Sequence, residues 1–201
     1  MQVKKEEVRE SILKAGEKEI LDKGFENASI RKIVKNAGTT IGNFYNYFKN
    51  KETMFDELVK DSYIKFKIFI ENHENIERRD YLWNEKNPAI WRKELRELSE
   101  YFMPIFSDRF LLLLKCSKGT KYEDIREQLI NIIKEHFEEH ADKLESDYGK
   151  SREFSRILAE QFVYGITLVL EQYNDKEVRQ ELIAEQLLFF LIGTMALLGN
   201  W

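Results

Sequence analysis

The stretch from Ser29 to Lys51, SIRKIVKNAGTTIGNFYNYFKNK, constrains the fold of this chain more than any other. It carries Arg31, Lys32, Lys35, Lys49 and Lys51 and no acid. The chain as a whole has 36 acids in 201 residues, so a window of this length would hold about four by chance. Two short helical patterns flank Ala37-Gly38-Thr39. Ile30, Ile33, Val34 and Ala37 stand at i, i+3, i+4 and i+7, one face of a helix, and Ser29 occupies its N-cap position. Gly38 supplies a tight turn, and Thr39 is placed to cap a second helix over about 40–47. In that helix Ile41, Phe44 and Phe48 are spaced to face inward, which leaves Thr40, Gly42, Asn43, Tyr45, Asn46 and Tyr47 outward or on the flanks. Basic charge combined with helix-turn-helix spacing is the physical signature of a surface that sits on DNA.

The flanking sequence reads as helix throughout. An apolar face of Val8, Ile12, Ala15 and Ile20 predicts a first helix from Lys4 to Lys23, with Gly24 as its stop. Asn50 is placed to cap a long helix beginning at Lys51 and carrying Met54, Leu58, Ile64 and Ile68 to about Asn72. Further helical segments are expected at 88–101, with Pro88 at its start, and at 104–117, 122–147, 151–173 and 175–198. With two prolines and nine glycines, and no run alternating at period two, the fold class expected is all-α. The expected division is a head over 1–50, with the helix-turn-helix at about 29–48, and a second helical domain over 51–201.

Charge is distributed to match. Residues 1–52 hold 11 Lys/Arg against 8 Asp/Glu, or +3, while the remainder holds 21 against 28, or −7. A nucleic-acid footprint depends on local charge, so the overall −4 does not exclude it. The lone Cys116 cannot form an intramolecular disulfide, which fits a reducing cytoplasm. The N-terminus MQVKKEEVRES is too charged for a signal peptide. The apolar run Leu187 to Leu198 spans only about 12 residues where a membrane helix needs roughly 20, so a buried helix is expected and membrane contact is not.

Residues Lys4 to Leu58 resemble the DNA-binding domain of TetR-type bacterial transcriptional regulators. The most specific element is G-x-x-Y-x-Y-F-x-x-K-E, here Gly42, Tyr45, Tyr47, Phe48, Lys51 and Glu52. The resemblance implies a three-helix head with a recognition helix in the major groove, and an all-helical effector domain. It also implies a homodimer formed by the last two helices, released from its operator by a small molecule. Three positions depart from the pattern: Ile41 stands where relatives often carry Lys, Arg or Pro, Tyr47 where His is common, and Asn46 where an aromatic is common.

Within the head, Thr39, Thr40 and Asn43 are the candidates for base edges or adjacent phosphates, since Asn can pair bidentately with adenine and a Thr methyl can touch thymine. Gly42 would let the helix backbone approach closely. The Tyr45 and Tyr47 hydroxyls suit phosphates, which position without specifying, and Asn46 completes the outward face. Lys51, in the first turn of a helix whose free N–H groups and dipole favour an anion, is the strongest phosphate candidate, with Arg31 and Lys49 behind it.

In the second domain a ligand cavity of largely apolar character would draw on Phe66, Tyr101, Phe106, Phe110, Phe162 and Tyr164, and would take an apolar or aromatic molecule. Control by a protein partner or a metal is the alternative. The terminal helix is apolar nearly all round and needs cover from a second copy, with Gly165, Val169, Leu187, Leu188, Leu191, Thr194, Met195 and Leu198 at the interface. His136-Phe-Glu-Glu139-His140 fits H-x-x-E-H but has no evident third ligand, so an exposed polar face is the expectation. Cys116 reads as a small buried hydrophobe. No Gly-rich phosphate loop, Ser/His/Asp set or carboxylate pair appears, and neither catalysis nor a cofactor is expected.

Overall fold

The computed structural model describes residues 2–77, 87, 89–94, 96, 104–143 and 152–197. Eight helices are bounded among them: α1 Gln2–Asn27, α2 Ile30–Asn36, α3 Ile41–Tyr47, α4 Lys51–Glu77, α5 Asp108–Cys116, α6 Ile125–Lys143, α7 Arg152–Gln172 and α8 Lys176–Leu197. Residues 89–94 are also helical, and no described residue lies in a strand. The fold is all-α, as the periodicity predicts.

Several boundaries move. Gly24 does break α1, with φ 75° and ψ 160°, but the chain makes a further turn to Asn27 beyond it. The helix expected from 104 begins at Asp108, and that expected from 122 begins at Ile125. Pro88 lies outside the described residues, as does much of the 88–101 segment.

The chain forms two compact units, Met1–Ile64 with Asp108–Ile125 and Lys65–Ser107 with Arg126–Trp201. In the first, Ile12, Ile20, Ile33, Phe44, Met54, Phe55 and Leu58 are sealed from solvent. Each such burial is worth about 1.5–3 kcal/mol, and it is this core that holds α2 and α3, seven residues each and too short to be stable alone. Gly16 of α1 lies against Met54 of α4, where an added Cβ would stand 2.8 Å from the thioether sulfur.

α5 belongs to this unit. Its Phe110–Leu114 run is buried, and Arg109 donates to Glu17 of α1 at 3.3 Å. Cys116 is buried as expected, and burial pushes its thiol up against the opposing charge of Lys115. Beyond it the Thr120 hydroxyl donates to the Ser117 carbonyl at 2.7 Å, and Gly119 turns at φ 78° with Glu26 Cγ only 2.9 Å from where a Cβ would sit. The Tyr122 hydroxyl and the Lys121 ammonium then converge on Asp56 of α4, both at 2.5 Å. Burial alone would raise the Asp56 carboxyl, but hydrogen bonds from Lys121 and Tyr122 and the Lys121 charge hold it below its ordinary value. Burial, then the bond to Asp56, pushes the Tyr122 phenol well up.

In the second unit, the Gln186 side-chain amide of α8 donates to the Phe162 carbonyl of α7 at 2.9 Å. It lies where a Cβ on Gly165 would be, 2.5 Å from the amide nitrogen, so a larger residue there would displace the Gln186 amide from this bond. Phe190 stacks on Phe137 at 6.3 Å and meets Phe162 edge-on at 5.3 Å. The turn between α7 and α8 is tied from both sides. Asp175 accepts from the Glu177 and Val178 amides at 2.9 and 3.0 Å, while buried Arg179 donates to the Leu170 carbonyl at 2.8 Å and to that of Tyr173. No described helix is long and apolar enough to cross a membrane.

Candidate nucleic-acid interface

The turn between α2 and α3 sets the geometry of the site. At the end of α2 the Thr39 amide donates to the Val34 carbonyl at 2.9 Å and the Gly38 amide to that of Lys35 at 3.2 Å. This is the paired closure of a helix that ends in a left-handed residue, and Gly38 takes that conformation at φ 65°. Ser29 stands at the N-cap of α2, but its side chain makes no capping bond. Its amide instead donates to Glu19 of α1 at 3.4 Å, a carboxylate only 7% exposed, so a buried acid anchors the start of the motif.

The cap of α3 is Thr40, not Thr39. Thr40 is extended, and its hydroxyl accepts from the Asn43 amide at 3.2 Å. The Thr39 hydroxyl accepts from the Asn43 side-chain amide at 2.8 Å, and Asn46 donates to the Asn43 carbonyl oxygen at 3.4 Å. Asn43 is therefore held at both ends of its amide before any ligand arrives, with one N–H and one lone pair still free. Thr39 orients Asn43 by accepting this bond, and its hydroxyl proton remains available to donate.

Phe44 and Phe48 are buried and their rings lie 5.5 Å apart, as the spacing predicts. Tyr45 is exposed and meets Phe44 edge-on at 5.4 Å, and half-buried Tyr47 leans on Phe48 at 6.5 Å. Neither tyrosine hydroxyl has a partner among the described residues. Gly42 faces open space: an added Cβ would find only the Thr40 hydroxyl, 4.0 Å away. Nothing inside the protein requires glycine here, so the missing Cβ matters only to what lies outside.

Two expectations fail. Ile41, expected inward, is 40% exposed. Phe48 is extended and lies outside α3, so it reaches the core from the chain after the helix, and within α3 itself only Phe44 is buried. The second failure is Lys51. Its ammonium donates to the carbonyls of Phe25 (2.5 Å), Glu26 (3.1 Å) and Ala28 (2.9 Å) and sits 4.5 Å from the Phe25 ring centroid. All three of its protons are in use, and a phosphate contact from this side chain gives way to a bracket between the end of α1 and the start of α4. Burial lowers the ammonium from its ordinary value, with the Glu26 charge opposing. Asn50 does cap α4, accepting from the Thr53 amide at 2.8 Å while the Thr53 hydroxyl accepts from the Asn50 amide at 3.1 Å.

Four cations remain open. Arg31, Lys32, Lys35 and Lys49 are exposed, and among the described residues none has an ion-pair partner. With Thr40, Gly42, Asn43, Tyr45 and Asn46 they make a basic, hydrogen-bonding surface with no acid of its own segment in it.

The second unit treats its expected residues unevenly. Phe66, Phe106 and Phe162 are buried there, whereas Phe110 is buried in the first unit. Tyr164 is 60% exposed and lines no interior of a single chain, and Tyr101 lies outside the described residues. Of the expected interface, Leu188 is buried within its own chain at 6% exposure and Gly165 is covered by Gln186. Val169 and Leu187 are half-buried, and the side chains of Leu191, Thr194, Met195 and Leu198 lie outside the described residues. The apolar groups that α7 and α8 do expose are Phe154, Ile157, Tyr164, Val178 and, at 72%, Phe189. His136 lies beside Phe137 at 6.0 Å between centroids, and the His140 side chain falls outside the described residues.

The site defines a helix-turn-helix DNA-binding protein. Residues 12–58 match the family model described as bacterial regulatory proteins, tetR family. The chain is 27% identical over 143 residues, 69% of its length and 68% of the relative's, to the uncharacterized HTH-type transcriptional regulator YdgC of Bacillus subtilis (strain 168). It is 42% identical over 52 residues, 26% of its length and 27% of the relative's, to YvdT of the same organism, likewise described as an uncharacterized HTH-type transcriptional regulator. A solved transcriptional regulator (TerR/AcrR family) from Aquifex aeolicus VF5 aligns over 90% of this chain and 97% of its own, with 21% identity and a TM-score of 0.48. Residues 12–58 thus carry the DNA-binding region of TetR-type transcriptional regulators, and the chain resembles regulators of that type over 69% of its length.

Proposed function

We propose that this regulator is a homodimeric repressor that holds double-stranded operator DNA through residues 1–50 and is released by an apolar or aromatic small molecule bound within residues 51–201. The observation that carries the DNA half of this reading is the α2–α3 surface. There a pre-oriented Asn43, a Cβ-free Gly42 and four cations without ion-pair partners among the described residues occur in one segment. In that reading Asn43 and Thr40 face base edges. Tyr45, Tyr47, Asn46, Arg31 and Lys49 seat the head on phosphates, and Lys51 holds α4 in register with α1.

The exposed apolar groups of α7 and α8 support a dimer, because Phe189, Tyr164 and Ile157 are each more than half exposed and a second copy would cover them. Two heads related by a twofold axis would address half-sites about 34 Å apart, one turn of DNA. The aromatic cluster of Phe137, Phe162 and Phe190 supports an effector with an aromatic or aliphatic body. Footprinting upstream of the protein's own coding region, with and without a panel of hydrophobic and aromatic compounds, tests the whole reading. A protected palindrome that clears with one compound is the expected result, and protection indifferent to every compound would remove the small-molecule part.

A further inference from the structure

We propose that Ile41 reads the C5-methyl group of a thymine in the operator, making it a specificity-determining residue alongside Asn43. The inference rests on the DNA-reading role just proposed for α3. Ile41 is 40% exposed although the core beneath it is complete, with Phe44 and Phe48 buried and Ile33 sealed from solvent. It is the one exposed aliphatic side chain among the described residues of α2 and α3. An exposed isoleucine is ordinary by itself, so its position carries the argument. It stands between Thr40, whose hydroxyl is occupied by the Asn43 amide, and Gly42, beside which a Cβ would have open space. A surface that approaches along α3 therefore meets the Ile41 side chain early and without obstruction.

The chemistry of the approaching surface narrows the choice. Arg31, Lys32, Lys35 and Lys49 of the same helix-turn-helix segment are exposed and lack ion-pair partners among the described residues, which suits a polyanion. Within the major groove of DNA the base edges offer donors and acceptors and one apolar group, the thymine methyl. An aliphatic side chain can gain nothing from the polar edges, so the methyl is the group that matches it.

The test begins with selection of duplexes from a randomised pool by the wild-type dimer. Each thymine of the enriched site is then replaced singly by uracil, which keeps the pairing and removes only the methyl, and binding is followed by fluorescence anisotropy at fixed salt. The wild type should weaken about three- to tenfold at one thymine per half-site, the size expected for one buried methyl. Ile41→Ala should bind that site more weakly and no longer distinguish thymine from uracil there. Equal affinity of both proteins for random duplex, with matching circular dichroism, shows that the variant is folded. Equal uracil sensitivity of wild type and Ile41→Ala at every thymine, or none in the wild type, overturns the inference while sequence-reading stands. A pool in which nothing is enriched overturns the reading of α3 itself, and this inference with it.

Discussion

Replacing Lys51 by methionine separates two roles that charge alone leaves confounded. Methionine keeps the aliphatic stem over Phe25 and removes the ammonium that now serves three carbonyls. A hydrogen bond to a charged group is worth about 1.5–3 kcal/mol when buried, and water can replace part of that at a half-buried site, so about 2 kcal/mol is the expected loss. For a domain of this size that is a fall in Tm of about 4–8 °C. Binding to operator should weaken on specific DNA, because α4 loses its register with α1, while the slope of log Kd against log salt stays unchanged. Thermal unfolding by circular dichroism and a salt titration of random duplex measure the two effects separately. If the slope instead drops by about 0.9 per head with Tm unmoved, Lys51 leaves its bracket to hold a phosphate, and the structural role is wrong.

Gly42→Ala should fold as well as wild type or about 0.5–1 kcal/mol better, since alanine favours helix and meets nothing within the protein. Its operator affinity should fall at least about tenfold by anisotropy, one decade being roughly 1.4 kcal/mol, and unimpaired binding would mean that DNA does not approach there. Asp56 and Tyr122 give stability a dependence at both ends of the pH scale. The Asp56 carboxyl is held below its ordinary value of 3.8, so its contribution is present above that pH and lost as pH falls further. The Tyr122 phenol is held above 10.0, so its contribution is present below that pH and lost on raising it. Tm measured against pH should therefore show a smaller fall at both ends in Tyr122→Phe, and parallel curves would remove the coupling. Phe189→Glu should give a folded monomer by sedimentation, whereas Leu188→Glu, at a site buried in one chain, should give a chain that does not fold. Identical behaviour of the two would show that α8 is oriented otherwise.

What could be read from spacing, and what could not, divides along physical lines. α2 showed clearly because Ile33 and Val34 repeat within one helix and Gly38 has a backbone conformation that few other residues adopt. Ile41 was hidden because α3 makes only two turns, and Phe48, which completed the apparent period, belongs to the extended chain after it. The packing of α5 with α1, through Arg109 and Glu17, joins segments ninety residues apart and leaves no local trace. Leu188 and Phe189 are neighbours of similar hydrophobicity, and on a helix apolar nearly all round the sequence has no phase from which to tell the inward one.

Lys51 was illegible for a different reason. A sequence counts cations but does not say which of them the fold uses internally, and a lysine stem is long enough to turn towards the protein or away from it. The acid-free segment holds five basic residues, and with Lys51 engaged by carbonyls the open set is Arg31, Lys32, Lys35 and Lys49. Each phosphate neutralised on duplex DNA adds about 0.9 to the salt slope, so a head on random DNA is limited to about 3.6 from this segment and a dimer to about 7. A measured slope near 9 for the dimer would require a fifth cation per head, and Lys51 would be the first place to look.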